Sequence, residues 1–321
     1  MGLNQPMKKW KVAIVGAGYM AGEHARAFAS LPDVSLVGIC GRSPARAQKL
    51  AAEYNVPAFE SIAAMYQATR ADAVVVAVNE LSMLDVSMEC FRHPWVGLLE
   101  KPVGIDLAET QKIAAARRAA GASAFVALNR RSYAATRRAL AELSEDASPR
   151  LISVLDQQDL ASVREARQPE EVVRNYMFAN SIHLIDYFCT FGRGDIVSVS
   201  PTVPWDGARP GFVVATIRFS SGDVGVYQAV WSGPGPWSVT VTNERARFEL
   251  RPLEKLGIQR RGQRQLAEIA PEAIDQDYKP GLRHQALQLV RFLAEKETSL
   301  ASLDEAARSV KLCADLYGAK G

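Results

Sequence analysis

Val12-Ala13-Ile14-Val15-Gly16-Ala17-Gly18-Tyr19-Met20-Ala21 is the stretch on which the fold of this chain turns. A short apolar run meets two glycines and a small residue in the spacing GxGxxA, and a helix pattern follows over residues 19–31. Strand, glycine turn and helix start in that order form the dinucleotide-binding fingerprint of a doubly wound parallel sheet. Gly16 permits the tight turn, Gly18 lets backbone approach a pyrophosphate, and Ala21 keeps helix and strand close. The helix start at Tyr19 and Met20 then offers unpaired backbone N–H groups to phosphates. The plain alternative is a structural turn, but its place directly after a strand favours the nucleotide.

Working outward, the strand–helix period repeats. Strands are expected at 11–16, 36–40, 73–78, 96–99 and 124–128, with helices at 19–31, 44–54 and 107–120. Pro44 suits a first helical turn. Ala73-Val74-Val75-Val76-Ala77-Val78 is continuously apolar, as a strand buried on both faces should be. After residue 150 the character changes: strands are expected at 151–156, 196–201, 211–219, 224–231, 237–242 and 245–250. Gly207, Gly222 and Gly233-Pro234-Gly235-Pro236 punctuate them. A helix over 172–191 interrupts the early strands, and helices at 281–294 and 303–317 close the chain. The reading is an α/β Rossmann domain at 1–128, then an α+β domain with a mostly antiparallel open sheet at 129–280. The closing helices at 281–321 are expected to pack back near the Rossmann domain.

Composition narrows the function. The 321 residues carry 38 basic and 35 acidic side chains, a net charge of +3. The excess is scattered, with Arg130, Arg131, Arg137 and Arg138 as its main cluster, so no nucleic-acid face is expected. Cys40, Cys90, Cys189 and Cys313 form neither a CxxC nor a zinc spacing, and reduced thiols are expected. Val12 to Val15 is too short for a signal sequence, and no apolar stretch approaches membrane-spanning length. A cytoplasmic protein is expected.

At the end of the second strand the chain reads Cys40-Gly41-Arg42-Ser43, then Arg46, where an acidic residue would bind both adenosine ribose hydroxyls. Arg42 can pair with a 2′-phosphate and Ser43 can donate to it, so NADP(H) is expected over NAD(H); a solvated basic turn is the alternative. Leu99-Glu100-Lys101-Pro102-Val103-Gly104 follows a buried strand. Ligands lie beyond the carboxyl ends of such strands. Lys101 there can hydrogen-bond a substrate hydroxyl and stabilise a developing alkoxide, with Glu100 orienting or tuning it.

With these motifs stand Asn129-Arg130-Arg131-x-Tyr133 and a partial His183-x-x-Asp186. In this order they resemble the glucose–fructose oxidoreductase, inositol dehydrogenase and MocA family over almost the whole chain. The resemblance implies reversible hydride transfer between NAD(P) and a sugar, cyclitol or related carbonyl compound. It matches Lys101 to the family's active-site lysine, His183 to its catalytic histidine and Asp186 to the acid three positions on. It sets Asn129 and Arg130 near the cofactor and active-site cleft. It also implies a homodimer or homotetramer built on the open sheet.

The chain departs from the family in two places. Many members carry Asp four residues before the histidine, on the same helical face; here Ala179 stands there, and Asn180 faces about a hundred degrees away. The common Thr-Pro after the buried apolar strand is replaced at Val78-Asn79, where Asn79 is read as contacting the nicotinamide or its ribose. His183, amid Ile182, Leu184, Ile185, Tyr187 and Phe188, is read either as a core histidine or as an acid/base near neutral pH. His24, His93 and His284 are read as packing or surface residues. Tyr176 is the reserve proton-transfer candidate, and Asp186 orients substrate or the local hydrogen-bond network. Trp231 either stacks on a sugar face or packs in the core. The paired arginines attract an anionic sugar or form a solvated helix charge. No convincing third ligand joins His183 and Asp186, so no metal is expected. The alternatives to a sugar or cyclitol oxidoreductase are a non-catalytic NADP(H) sensor and an imine or biliverdin-type reductase.

Overall fold

The computed structural model describes residues 8–319. The chain divides into two units. The first runs through Val103 and adds Lys112–Ala127 and Leu282–Leu303; the second holds Gly104–Gln111, Leu128–Gly281 and the chain from Asp304 onward.

In the first unit, β1 (Trp10–Val15), β2 (Val34–Cys40), β3 (Ala58–Phe59), β4 (Ala73–Val76), β5 (Val96–Leu99) and β6 (Ala124–Val126) are parallel in the order β6-β5-β4-β1-β2-β3. The order reverses beside β1, the switch point at which doubly wound sheets bind ligands. Every residue of β4 and β5 is buried, which explains their unbroken apolar runs. Helix Leu282–Glu295 gives Leu282, Ala286, Leu289 and Leu293 to the core that also holds Ala25 and Phe28 of helix Tyr19–Ala29.

The second unit is built on an eight-stranded sheet. Its strands are β7 (Leu151–Gln157), β8 (Ile196–Val203), β9 (Phe212–Phe219), β10 (Val224–Val230), β11 (Ser238–Thr242), β12 (Ala246–Leu250), β13 (Leu256–Arg260) and β14 (Ala267–Ile269). They run β14-β13-β12-β11-β7-β10-β9-β8, antiparallel except for the β7–β10 pair. Alternate residues such as Val213, Ala215 and Ile217 enter the core with Ile185 and Phe188 of helix Ile182–Phe191. The opposite face leaves Leu151 and Phe212 exposed and Leu155, Val214 and Val226 half-buried.

The closing helices part company, contrary to the expectation that both join the Rossmann domain. Helix Leu303–Tyr317 contributes Val310, Cys313, Leu316 and Tyr317 to the second unit's core. Strands β13 and β14, together with β3 and the short Ala301–Ser302 strand, carried no readable period. The expected continuous helix over 172–191 is instead helix Glu170–Arg174, a π-helical turn Met177–Ser181, and helix Ile182–Phe191. In the turn between β9 and β10, Asp223 accepts from the backbone N–H groups of Arg150 and Arg193 and from the Arg193 guanidinium at 2.6–3.0 Å. Burial would raise this carboxyl, but those hydrogen bonds and the Arg193 charge together hold it below the usual carboxylate range.

Candidate active site

The first unit builds a glycine cradle. Gly16 has φ +129°, and its N–H donates to the Cys40 carbonyl at 2.7 Å. A Cβ at Gly16 would lie 2.1 Å from the Ala77 carbonyl oxygen, so only glycine fits the turn. Gly18 has ordinary backbone angles, and a Cβ there would meet nothing within 4 Å; its side of the turn is open. That opening belongs to a cavity of about 670 Å³ whose walls include Gly16, Gly18, Arg42, Ser43 and Asn79. Ser43 precedes helix Pro44–Glu53 and makes no side-chain cap, which leaves its hydroxyl to the cavity. The cradle, the opening and the volume fit a dinucleotide. Glu60 and Glu89 line the same cavity, two carboxylates that sequence reading passed over. Tyr19, 69% exposed, lines an adjoining hollow with Arg26 and Lys49 that shares Gly18 and Arg46 with this cavity, while Met20 packs against the core.

Beyond β5 the chain holds its register for one more residue, as the Glu100 N–H donates to the Val76 carbonyl at 2.8 Å. The Glu100 side chain is buried. Its Oε1 meets His24 Nε2 at 2.7 Å, and its Oε2 accepts from the Lys101 N–H at 3.1 Å. Glu100, read from sequence as orienting or tuning the Lys101 ammonium, holds the Lys101 backbone N–H. His24 is no surface residue: it is fully buried on helix Tyr19–Ala29 and grips the carboxylate that fixes the Lys101 backbone. Lys101 is half-buried at the carboxyl end of the parallel sheet.

The second unit gathers a different set. His183, 7% exposed, faces the Trp237 ring at a centroid distance of 6.2 Å. Arg130 lies over that same ring at 5.0 Å. Asn129, expected at the cofactor, instead donates to the Pro280 carbonyl at 3.1 Å and accepts from Arg130 Nη1 at 3.3 Å. Asp186, expected near substrate, is buried in a two-pronged pair with Arg131 at 2.8 and 2.6 Å and accepts from the Ser309 hydroxyl at 2.6 Å. Its carboxylate organises the protein, the second of the two roles read for it. Trp231 is 2% exposed, and its Nε1 donates to the Tyr317 hydroxyl at 3.0 Å; packing, not sugar stacking, is its role. Tyr176 packs against the apolar cluster of Ile105, Val172 and Ala179.

The family model described as an oxidoreductase family with an NAD-binding Rossmann fold matches residues 10–128. Those residues belong to that family. The resemblance to the glucose–fructose oxidoreductase, inositol dehydrogenase and MocA group is borne out, and the first unit is the NAD-binding part of an oxidoreductase. Solved structures extend the likeness of fold over both units. A dehydrogenase from Chromobacterium violaceum is 18% identical, with 98% of this chain and 96% of that chain covered and a TM-score of 0.82. UDP-N-acetylglucosamine 3-dehydrogenase from Acidithiobacillus ferrooxidans is 17% identical over 98% of both chains, with a TM-score of 0.79. An oxidoreductase from Agrobacterium radiobacter, solved with NAD+, L-tartaric acid and magnesium, is 15% identical over 97% of this chain and 96% of that one, at 0.76. No curated protein matches the chain.

Within this oxidoreductase a buried polar network was missed from sequence. Asp156 accepts from Gln158 Nε2 at 2.6 Å and from the Tyr227 hydroxyl at 2.7 Å. Asn180 Nδ2 donates in turn to Gln158 Oε1 at 2.8 Å, which ties the π-helical turn to the end of β7. Burial pushes the Asp156 carboxyl up, and hydrogen bonds from Ser181, Tyr227 and Gln158 offset only part of that. The signal was present: Ile152, Val154 and Asp156 share one strand face, and an acid on an apolar face needs partners. Cys40, beside the dinucleotide cavity, has its thiol pushed up by burial and then by Glu89, so it is no ready nucleophile. Among the described residues no helix is long and apolar enough to cross a membrane, and no group of three or more His, Cys, Asp or Glu is placed to hold a metal.

Proposed function

We propose that the protein transfers hydride reversibly between NADP(H), in preference to NAD(H), and a secondary alcohol or ketone carbon of a sugar, cyclitol or related compound. The observation that carries this reading is Lys101, whose backbone is fixed by the buried His24–Glu100 pair at the same carboxyl end of the parallel sheet as the glycine cradle. The nicotinamide supplies the hydride chemistry when bound. Lys101 donates a hydrogen bond to the reacting oxygen and stabilises its charge. His183 is assigned proton exchange. Arg42 and Ser43 are assigned the 2′-phosphate, against the opposing charge of Glu60 and Glu89 on the cavity wall.

The test follows nicotinamide absorbance with a panel of sugars, cyclitols and their ketones. Lys101→Met should lower kcat by roughly 10²–10⁴-fold with cofactor affinity kept. A wild-type protein that binds cofactor tightly but turns over no member of the panel would sink the reading. Arg42→Ala should raise KM for NADP(H) far more than for NAD(H); equal effects would remove the NADP assignment alone. We also propose that two copies pair through the half-apolar open face of the second sheet, and that the enzyme works in the cytoplasm, where its four unpaired cysteines stay reduced.

A further inference from the structure

The four arginines of residues 130–138 are not alike. Arg131 is paired with Asp186 and lies 3.7 Å from Glu305. Arg137 is paired with Glu272 at 2.8 Å and Arg138 with Glu142 at 3.0 Å. Arg130, among the described residues, has no carboxylate within ion-pair distance. Its Nε is buried without a hydrogen-bond partner, and its one side-chain bond goes from Nη1 to the neutral Asn129 amide.

We propose that Arg130 is the subsite for an oxyanion carried by the substrate, a carboxylate or a phosphate ester. The inference rests on the hydride-transfer reading only in calling this ligand the substrate. The side chain is held for such a role. Its guanidinium carbon lies 5.0 Å from the Trp237 ring centroid and 6.0 Å from that of Tyr133. Trp237 is itself fixed by its Nε1 bond to the Gln157 carbonyl at 2.7 Å, and Asn129 by its bond to Pro280. A guanidinium stacked on aromatic faces keeps its N–H edge for planar oxyanions. Leaving a half-buried charge unpaired is unfavourable, and an oxyanion there relieves it through charge-assisted hydrogen bonds. The buried acid whose ionised form Arg130 favours is Asp156, but among the described residues the two form no hydrogen bond or ion pair, and both Asp156 oxygens are engaged by Gln158 and Tyr227. The subsite is one ring away from His183, which meets the same Trp237.

Calorimetry on the full chain with NADPH present tests this, titrating D-glucose, D-glucuronate and D-glucose 6-phosphate. At least one anionic sugar should bind about tenfold or more tightly than glucose; which one does so separates carboxylate from phosphate. Arg130→Met should erase that advantage, and Arg130→Lys should keep part of it, with NADPH affinity and the melting curve unchanged in both. Equal binding of all three sugars by the wild type, or an advantage that survives Arg130→Met, would overturn the proposal. The readout is binding alone. Absent turnover with the anion advantage intact therefore sinks the reaction and leaves the subsite standing.

Discussion

A methyl group added at Gly16 and one added at Gly18 should fail in different ways. At Gly16 the new Cβ would sit 2.1 Å from the Ala77 oxygen and 2.8 Å from its carbonyl carbon, at a φ of +129°. The oxygen is backbone, so the turn must move by about 0.9 Å before the pair reaches the 3.0 Å that real Cβ atoms keep. Strain at such a φ alone costs about 1–3 kcal/mol, and the displacement of β4's end adds to it. Gly16→Ala should destabilise the first unit by on the order of 3 kcal/mol, a fall in Tm of roughly 6–12 °C. Gly18 has φ −93° and ψ −173°, which any residue adopts, and open space beyond it. Gly18→Ala should therefore leave the Tm of the ligand-free protein within about 2 °C, since its stability should change by only about 0.5 kcal/mol. Its methyl group nevertheless occupies the approach to the backbone. Losing one or two charge-assisted hydrogen bonds to a pyrophosphate should weaken NADPH and NAD+ binding by roughly 10–150-fold. Thermal melts without ligand, paired with calorimetric Kd values, separate the two effects. Wild-type affinity in Gly18→Ala would refute the cradle and reduce the glycines to a turn.

Four further outcomes follow from the second unit. The folded-state pKa of Asp223 is depressed, so its contribution is fully present above the unfolded value of about 3.9 and is lost as pH falls through the folded value. Denaturant melts should show Asp223→Asn weaker by on the order of 3 kcal/mol at neutral pH, with the gap closing below about pH 4; a gap independent of pH would contradict this. Asp186→Ala leaves Arg131 without its main partner and should cost about 3–5 kcal/mol, whereas a raised substrate KM at unchanged stability would restore Asp186 to the substrate. Phe212→Asp, on the open sheet face, should yield monomers by light scattering; persistent dimers would place the contact elsewhere. Ala179→Asp should lower stability by about 1–3 kcal/mol without any gain in kcat, because the side chain enters an apolar cluster, and higher activity would show a site ready for that carboxylate.

The first unit was legible because its signals are local. A run such as Ala73–Val76 declares its own burial, and GxGxxA declares its turn within six residues. The second sheet was legible down to β12, where alternation is clean, and lost at β13 and β14, where Gly257, Gln259 and Glu268 blur the period. Side-chain partners were the hidden part. His24 and Glu100 are 76 residues apart, and nothing in either neighbourhood names the other. Asp186 was legible as a residue of importance, but its partner Arg131 lies 55 residues away and a serine on the last helix completes its shell. Trp237 follows a glycine-proline loop that reads only as punctuation, although its ring is what Arg130 and His183 share.

The departure at Ala179 gains its physical sense from these partners. An aspartate four residues before His183 presupposes an unbroken α-helix, and here a π-helical turn occupies Met177–Ser181. Ala179 packs with Ile105 and Val172, an environment that would penalise a charge. The polar group on this turn is Asn180, and its amide is drawn to Gln158, which is drawn in turn to Asp156. A carboxyl is thus retained, but one layer deeper, where burial pushes its pKa up and its hydrogen bonds orient neighbours rather than reach substrate.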